Sequence, residues 1–249
     1  GNNPAMGRAR RRKQGYVMGQ RIDIDAADSS GAFGAYLSPL PAQPGPGIVM
    51  LHEILGITPW IEEVADQFAS RGYCVVSPDV FWRLEPGFVA DYRIPEEREK
   101  GLRFRGEIKH DKAVEDISAA IDNLKARPEC NGKIAVVGYC MGGTLTYLSA
   151  ARLNPDAAVV YYGTEVHNFL DEGPNISCPT IFHAGDHDHH VPLELLDTIR
   201  DALEGLPGIT FHVYDADHAF ANTHRQELFS AGPTEQAHAR SFDLLDTLL

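Results

Sequence analysis

The chain has 249 residues, of which 43% are hydrophobic, and it carries a formal net charge of −13. This length is sufficient for one sizeable core, and the acidic balance argues against nucleic-acid or anionic-membrane binding, which needs a basic face. We therefore expect a single domain that acts on a small molecule.

The start of the chain differs in composition from the rest. Residues 8–13 read R-A-R-R-R-K, and Met18 opens a more natural beginning, M-G-Q-R-I-D-I. A basic run is compatible with a localisation or nucleic-acid patch, but the preceding G-N-N-P-A-M is typical of a cloning remnant or of an upstream start. We predict an N-terminal extension over residues 1–17 and a single domain over 18–249. With no apolar stretch of bilayer-spanning length and no signal peptide, the sequence predicts a cytoplasmic protein.

Strand-length apolar runs recur along the chain. Because these runs are continuously apolar rather than alternating, each predicted strand is expected to be buried on both faces, as in a mostly parallel sheet. The runs lie at residues 47–52, 73–78, 133–138, 157–163, 179–185 and 209–214.

Segments with helical periodicity separate these runs. The clearest places four apolar residues on one stripe, and two more helices are predicted after Pro192 and from about Thr234. This alternation is typical of a doubly wound α/β sheet, in which sites gather at the carboxyl ends of the strands. The apolar stripe consists of Val114, Ile117, Ile121 and Leu124.

A glycine-flanked turn follows the third apolar run. Residues 137–143 read V-G-Y-C-M-G-G, which fits the strand-to-helix turn G-x-S-x-G with Cys140 in place of serine. Residues without a Cβ beside the nucleophile let strand and helix approach, and the helix N-terminus favours a thiolate. The alternative is a small buried core residue, the commonest fate of a free cysteine.

Possible partners for this cysteine follow the last two runs. A cysteine nucleophile needs a base and an orienting carboxylate, which α/β-hydrolases supply in the chain order nucleophile, acid, histidine. Residues 185–192 read G-D-H-D-H-H-V-P, and residues 216–220 read A-D-H-A-F. Asp188 and His218 therefore lie in loops that can meet at one edge of the sheet.

Five motifs in this order resemble the dienelactone hydrolase family, the carboxymethylenebutenolidases. The resemblance covers residues 18–249 and implies an α/β-hydrolase fold, with a mostly parallel doubly wound sheet flanked by helices. It also implies that Cys140 is the nucleophile, His218 the base and Asp188 the orienting carboxylate, with Asp186 as the rival acid. The motifs are H-E-I-L-G at 52–56, S-P-D-V-F at 77–81, G-Y-C-M-G-G at 138–143, D-H-H-V-P at 188–192 and D-H-A-F-A-N at 217–222.

Further site residues follow from the same motifs. A tetrahedral oxyanion needs two backbone N–H donors, and Met141 and Ile54 fit those positions. The resemblance implies that Glu53 hydrogen-bonds the resting thiol and that Arg83 meets a substrate carboxylate. The family pattern has a second arginine where this chain has Asn222, so we expect a neutral or monoanionic substrate to be accepted.

A cluster of histidines and acids suggests metal binding as a different class of function. The run falls on a strand end and loop without H-x-x-x-H spacing, and the four cysteines lack C-x-x-C pairing, so we expect no metal, no cofactor and reduced thiols. The cluster comprises His183, His187, His189 and His190 with Asp186 and Asp188.

The combined pattern predicts a cysteine-dependent hydrolase. Its expected reaction is the opening of an enol-lactone or activated ester through a thioester acyl-enzyme, because a thiolate suits activated substrates. A general carboxylesterase or thioesterase of the same fold is the alternative, and a non-catalytic relative is the alternative outside enzymes. The chain is expected to be a monomer or simple homo-oligomer.

Overall fold

The structure is a computed structural model that describes residues 17–249, so the basic run at residues 8–13 lies outside the described residues. Strands and helices alternate along most of the chain. In order they are β1 (Gln20–Asp25), β2 (Ala32–Leu37), β3 (Gly45–Leu51), α1 (Pro59–Ala69), β4 (Cys74–Pro78), α2 (Pro95–Glu107), α3 (His110–Lys125), β5 (Cys130–Tyr139), α4 (Met141–Leu153), β6 (Ala157–Tyr161), β7 (Thr180–Gly185), α5 (Leu193–Leu203), β8 (Ile209–Tyr214) and α6 (Ala231–Leu245), with 3-10 segments at Val166–Asn175 and Asp246–Leu248.

The eight strands form one sheet in the order β1-β2-β4-β3-β5-β6-β7-β8. From β4 to β8 all neighbours are parallel, whereas β1 pairs antiparallel with β2, and β2 antiparallel with β4. The predicted mostly parallel sheet is confirmed, and each of the six predicted apolar runs corresponds to a strand. The β1–β2 hairpin was not predicted, because β1 is largely exposed and lacks a continuous apolar run.

Helices cover both faces of the sheet. One face is covered by α1 and α6, where the ring centroids of Phe68 and Phe242 lie 4.7 Å apart. The other is covered by α3, α4 and α5, with the predicted stripe of α3 facing the core. Among residues 17–249, no helix combines the length and apolar character needed to cross a membrane.

The register of the central strands determines where the polar loop residues meet. Leu51 of β3 pairs with Gly138 of β5, and the parallel β7 and β8 lie farther along the same sheet. The loops after β3, β5, β7 and β8 therefore leave the sheet at one edge, as expected for a doubly wound fold.

Candidate active site

The turn between β5 and α4 presents a cysteine at the start of a helix. Cys140 has φ 60° and ψ −119°, a conformation in which few side chains are found. A Cβ at Gly138 would lie 2.0 Å from the carbonyl oxygen of Gly142, so the turn requires glycine there. The Cys140 N–H donates to the Tyr161 carbonyl at 2.9 Å, which extends the ladder to β6 and fixes the turn.

Three of the predicted residues meet beside this turn. Cys140 Sγ lies 3.2 Å from His218 Nε2, and His218 Nδ1 lies 2.7 Å from Asp188 Oδ2. The other carboxylate oxygen, Oδ1 of Asp188, accepts from the backbone N–H groups of His190 at 2.7 Å and Val191 at 3.2 Å. Both carboxylate oxygens are therefore occupied, which fixes Asp188 and, through it, the imidazole plane.

The surroundings of His218 and Asp188 favour the charged form of each. Burial opposes protonation of His218, but the Cys140 sulfur and the hydrogen bond to Asp188 outweigh it and raise its pKa to about 10. Burial disfavours the charged form of Asp188 as well, yet the hydrogen bond from His218 and the backbone N–H groups lower its pKa. The arrangement thus supports an imidazolium between the Cys140 sulfur and a carboxylate.

The rival acid lies elsewhere. Asp186 Oδ1 accepts from the Ala216 N–H at 3.3 Å and lies 3.3 Å from His187 Nε2, on the outer side of the loop. Asp186 and Asp188 are only two residues apart in a short loop, yet Asp188 contacts His218 and Asp186 faces solvent.

The two predicted oxyanion donors belong to the segments that follow β5 and β3. Met141 is the first residue of α4, and N–H groups of a first helical turn have no acceptor within the helix. Ile54 lies in the loop after β3 and lines the same cleft as Cys140. Helix α2 packs closely against that loop at Gly101. A Cβ at this position would lie 2.3 Å from the Ile54 carbonyl oxygen, so the contact requires glycine.

Glu53 has a different partner from the expected one. Its Oε2 accepts from Asn222 Nδ2 at 3.0 Å, whereas within residues 17–249 the hydrogen-bond partner of Cys140 Sγ is His218. The expected hydrogen bond between Glu53 and the resting thiol is therefore not observed. Asn222 is 2% exposed and its Oδ1 accepts from the His224 N–H, so both ends of the amide are used inside the protein. The predicted substrate-binding role of Asn222 stays a prediction, which these internal contacts do not favour.

Arg83 is also placed away from the expected position. Its Nε and Nη2 form a bidentate pair with Asp116, at 3.0 and 2.9 Å, and its Nη1 lies 3.1 Å from Asp28. Asp116 is buried on α3 and also accepts from Trp82 Nε1 at 2.8 Å. This arginine neutralises a buried carboxylate and is not among the residues that line the cleft, so its contact with a substrate carboxylate stays a prediction that this arrangement does not favour.

Other arginines, which the motifs did not indicate, line the cleft. It has a volume of about 290 Å³ and contains Cys140 and His218 together with Arg98, Arg105 and Arg225. Arg98 and Arg105 lie seven residues apart on α2, so a helical reading of R-E-K-G-L-R-F-R would have placed them on one face. Arg225 gives no comparable signal, because it lies in the irregular loop after β8.

Two carboxylates partly balance these cations. Arg105 Nε lies 3.3 Å from Glu165, and Arg225 Nε lies 3.3 Å from Glu227. Each contact is long and uses one guanidinium edge, which leaves donors of Arg105 and Arg225 available to the cleft. A larger cavity of about 520 Å³, between Trp60 and the Val89–Arg93 loop, adjoins the cleft but does not include Cys140.

The histidines proposed as metal ligands do not converge. His183 is buried and hydrogen-bonds Tyr214 and Ser241, whereas His187 is exposed and His190 lines the cleft, where its ring centroid lies 4.5 Å from that of His218. Within residues 17–249, one group of side chains has the spacing of a metal site. It consists of Asp186, His187 and Asp215.

Comparison with known proteins adds sequence evidence to this geometry. The profile of the family described as "Dienelactone hydrolase family" matches residues 33–249. The chain is 36% identical to carboxymethylenebutenolidase 1 of Cupriavidus pinatubonensis over 88% of its length and 94% of the relative's. It is 35% identical to the carboxymethylenebutenolidase of Pseudomonas sp. strain P51, with 92% and 95% covered.

The solved structures support the fold. A candidate dienelactone hydrolase from Klebsiella pneumoniae superposes with a TM-score of 0.79 at 22% identity, covering 92% of this chain and 99% of the other. At this identity the likeness concerns the fold alone, and it confirms the predicted α/β-hydrolase architecture.

Proposed function

The chain belongs to the dienelactone hydrolase family and is a lactone or ester hydrolase of that type, and we propose that it opens an enol-lactone or activated ester through a thioester on Cys140. The observation that carries the proposal is the continuous contact from Cys140 Sγ through His218 to Asp188, at 3.2 and 2.7 Å. A buried core cysteine has no need of such partners, so the contact supports a nucleophile.

The first half of the proposed reaction forms the thioester. The Cys140 thiolate attacks the lactone carbonyl carbon, and the resulting oxyanion accepts hydrogen bonds from the N–H groups of Ile54 and Met141. Collapse of this intermediate breaks the ring C–O bond, and the departing enolate oxygen takes the proton held on His218 Nε2. The acyl group stays on sulfur, and the enol remains tethered to it.

The second half releases the acid. His218, now neutral, accepts a proton from a water molecule that attacks the thioester carbonyl. The second tetrahedral intermediate expels the Cys140 thiolate and leaves a carboxylic acid. Asp188 keeps the imidazole oriented in both halves and stabilises its charged form.

Cysteine suits this substrate class because an enolate is a good leaving group. A thiolate is displaced easily from a tetrahedral intermediate, so the nucleophile is efficient only when the departing oxygen leaves more easily still. The cleft of about 290 Å³ fits a small ring, and Arg98, Arg105 and Arg225 favour an anionic one. A general esterase or thioesterase remains the second candidate, since the same three residues would serve it.

Replacement of the cysteine tests the nucleophile. Cys140→Ala should abolish turnover of an enol-lactone, whereas Cys178→Ala, at another buried thiol, should retain it. With the unmodified enzyme, mass spectrometry of a quenched slow substrate should find the acyl mass on the peptide that contains Cys140. An active Cys140→Ala protein would contradict the proposal, and equal kcat/KM on simple alkyl esters would favour the second candidate.

The cleft arginines are tested by a substrate pair that differs only in charge. Arg105→Gln and Arg225→Gln should each lower kcat/KM for a carboxylate-bearing enol-lactone by roughly tenfold, the difference between a charge-assisted and a neutral hydrogen bond. Its methyl ester should change little. Arg103→Gln is the matched control, because Arg103 is exposed on α2 and pairs with Glu107. Equal losses of kcat/KM on the acid and on the ester would show that these arginines do not interact with the charge of the substrate.

A further inference from the structure

A second carboxyl group stands beside the proposed nucleophile. Leu51 of β3 and Gly138 of β5 are paired in register, and Glu53 and Cys140 each follow two residues later. Both side chains line the same cleft, and they are 4% and 5% exposed. The register of two parallel strands thus brings a buried carboxyl next to the thiol.

Such a carboxyl can act on a thiol in two opposing ways. Hydrogen-bonded to sulfur as a carboxylate, Glu53 would hold the thiol proton, and its negative charge would oppose formation of the thiolate. Held away from sulfur, it would leave the thiol free to transfer its proton to His218. The contacts of Glu53 decide between these states.

Those contacts hold Glu53 on the side of Asn222. The amide Nδ2 donates to Glu53 Oε2 at 3.0 Å, while the amide Oδ1 accepts from the His224 N–H at 2.9 Å. A flipped amide would present an oxygen to the carboxylate and a donor to the backbone N–H, so the orientation is fixed. The backbone N–H of Asn222 donates to the Ala219 carbonyl at 3.0 Å, which fixes Asn222 within the loop that carries His218.

The charges around Glu53 act in the same direction as the amide. Burial raises the pKa of Glu53, and the nearby positive charges of Arg225 and His218, with the Asn222 hydrogen bond, partly offset that effect. All three groups come from the loop after β8. They draw the carboxyl towards that loop, whereas Cys140 belongs to the turn after β5.

We propose that Asn222 is a positioning residue that holds the Glu53 carboxyl away from the Cys140 thiol, so that the thiol has already passed its proton to His218 before a substrate binds. The inference rests on the proposed nucleophilic role of Cys140. It implies that formation of the nucleophile does not require a substrate carboxylate, so neutral and anionic substrates meet the same thiolate and differ only in binding.

The test measures the thiolate directly in the substrate-free protein. The rate of Cys140 alkylation by iodoacetamide is followed by mass spectrometry from pH 5 to 10 for the unmodified protein and for Asn222→Ala. The unmodified protein should react at a nearly constant rate down to below neutral pH, because the ion pair is already formed. Asn222→Ala frees Glu53 and should move the midpoint upwards by about one pH unit, so that alkylation slows by up to about tenfold at pH values below the original midpoint.

Two further variants separate positioning from loss of structure. Asn222→Ala combined with Glu53→Gln should recover the original profile, since the neutral amide carries no negative charge to oppose the thiolate, and a merely unfolded loop would not be rescued. Asn123→Ala, which removes an asparagine on α3 that contacts Arg127, is the control and should leave the profile unchanged.

Three results would overturn the inference. They are an Asn222→Ala profile identical to the original, a midpoint in the unmodified protein near the ordinary cysteine value of about 8.5, or a tenfold acceleration by Glu53→Gln alone, which would mean that Glu53 restrains the resting thiol. The failure of the proposed function looks different, because it appears as turnover by Cys140→Ala whatever the alkylation profile. Should Asn222→Ala not fold, the unmodified profile and Glu53→Gln still decide.

Discussion

Two histidine–carboxylate pairs bridge the loops after β7 and β8, and their contacts are almost the same length. His218 Nδ1 lies 2.7 Å from Asp188, and His187 Nε2 lies 2.6 Å from Asp215. In the first pair the side chains are 9% and 2% exposed, and in the second 61% and 89%. The two pairs even cross, since His218 and Asp215 follow β8 while His187 and Asp188 follow β7.

The two pairs have similar hydrogen-bond lengths but very different surroundings, so the distance alone does not distinguish them. The pKa of His187 is raised by its hydrogen bond to Asp215 and by nearby Asp186, but beyond these carboxylates its ring faces solvent. In the His218 pair, the Cys140 sulfur lies beside the other ring nitrogen, and the Asp188 carboxylate also accepts from backbone N–H groups. Burial and the contact with the Cys140 sulfur therefore distinguish the His218 pair from an ordinary exposed ion pair.

The largest expected effect comes from removing the carboxylate of each pair in turn. Asp188→Asn should lower kcat/KM for an enol-lactone by about 10⁴-fold, the loss typical of a triad whose orienting acid becomes an amide. Asp215→Asn makes the same chemical change at the exposed pair and should stay within about twofold of the original. Circular dichroism should show that both variants are folded. A larger loss in Asp215→Asn, or in Asp186→Asn, would mean that the wrong carboxylate has been assigned.

The second effect is the difference in protonation between the two histidines. Because the pKa of His218 is raised to about 10, its ring should stay protonated through neutral pH and lose its proton only as the pH rises through that value. His187 should titrate above the ordinary histidine value but well before His218 does. Imidazole NMR signals recorded from pH 5 to 11 measure both.

Cys140→Ala sharpens the same measurement. It removes the sulfur that contributes to the high pKa of His218, so the midpoint of His218 should fall. The midpoint of His187 should not change, because its partners are Asp215 and Asp186. A His218 signal that titrates near 6.5, the ordinary value, would contradict the ion pair in the resting protein.

A smaller effect should come from salt. At 1 M ionic strength the screening length is about 3 Å, so exposed charges interact weakly while buried pairs are screened much less. The pKa of His187 should therefore move down towards the ordinary histidine value, and that of His218 should hold. The same NMR titration at low and high sodium chloride checks this, and equal movement of the two would show that the His218 pair is open to solvent.

The sequence predicted the buried pair because each partner follows a recognisable strand. Cys140, Asp188 and His218 come directly after continuously apolar runs, and parallel strands bring their carboxyl ends to one edge. Asp188 could be chosen over Asp186 because the V-P dipeptide marks the start of α5, although nothing in composition distinguishes the two acids. The mostly parallel character of the sheet and the burial of its strands were therefore largely predictable from the continuous apolar runs.

The positions of the charged side chains around the cleft could not be predicted in the same way. Arg83 was expected at the substrate, but Asp116 of α3 accepts hydrogen bonds from its Nε and Nη2, and Asp28 lies beside its Nη1. Arg225 and Asn222 lie in a loop whose path depends on tertiary contacts, so the direction of their side chains has no local signal. Residues that follow a strand can be placed from sequence, and residues that depend on a distant partner cannot.

The smallest expected effect concerns metal at the exposed pair. The ligand atoms of Asp186, His187 and Asp215 lie within 4.8 Å of one another, a spacing that suits a cation, but all three side chains are open to solvent. The proposed steps at Cys140 and His218 need no Lewis acid, since the backbone N–H groups stabilise the oxyanion and the imidazole moves the proton. Dialysis against EDTA should therefore leave kcat/KM within about twofold, and added Zn²⁺ should shift the His187 NMR signal without raising turnover. A loss beyond tenfold on chelation, reversed by Zn²⁺ and abolished by His187→Ala, would show that the exposed pair takes part in the reaction, and the distinction drawn from burial would fail.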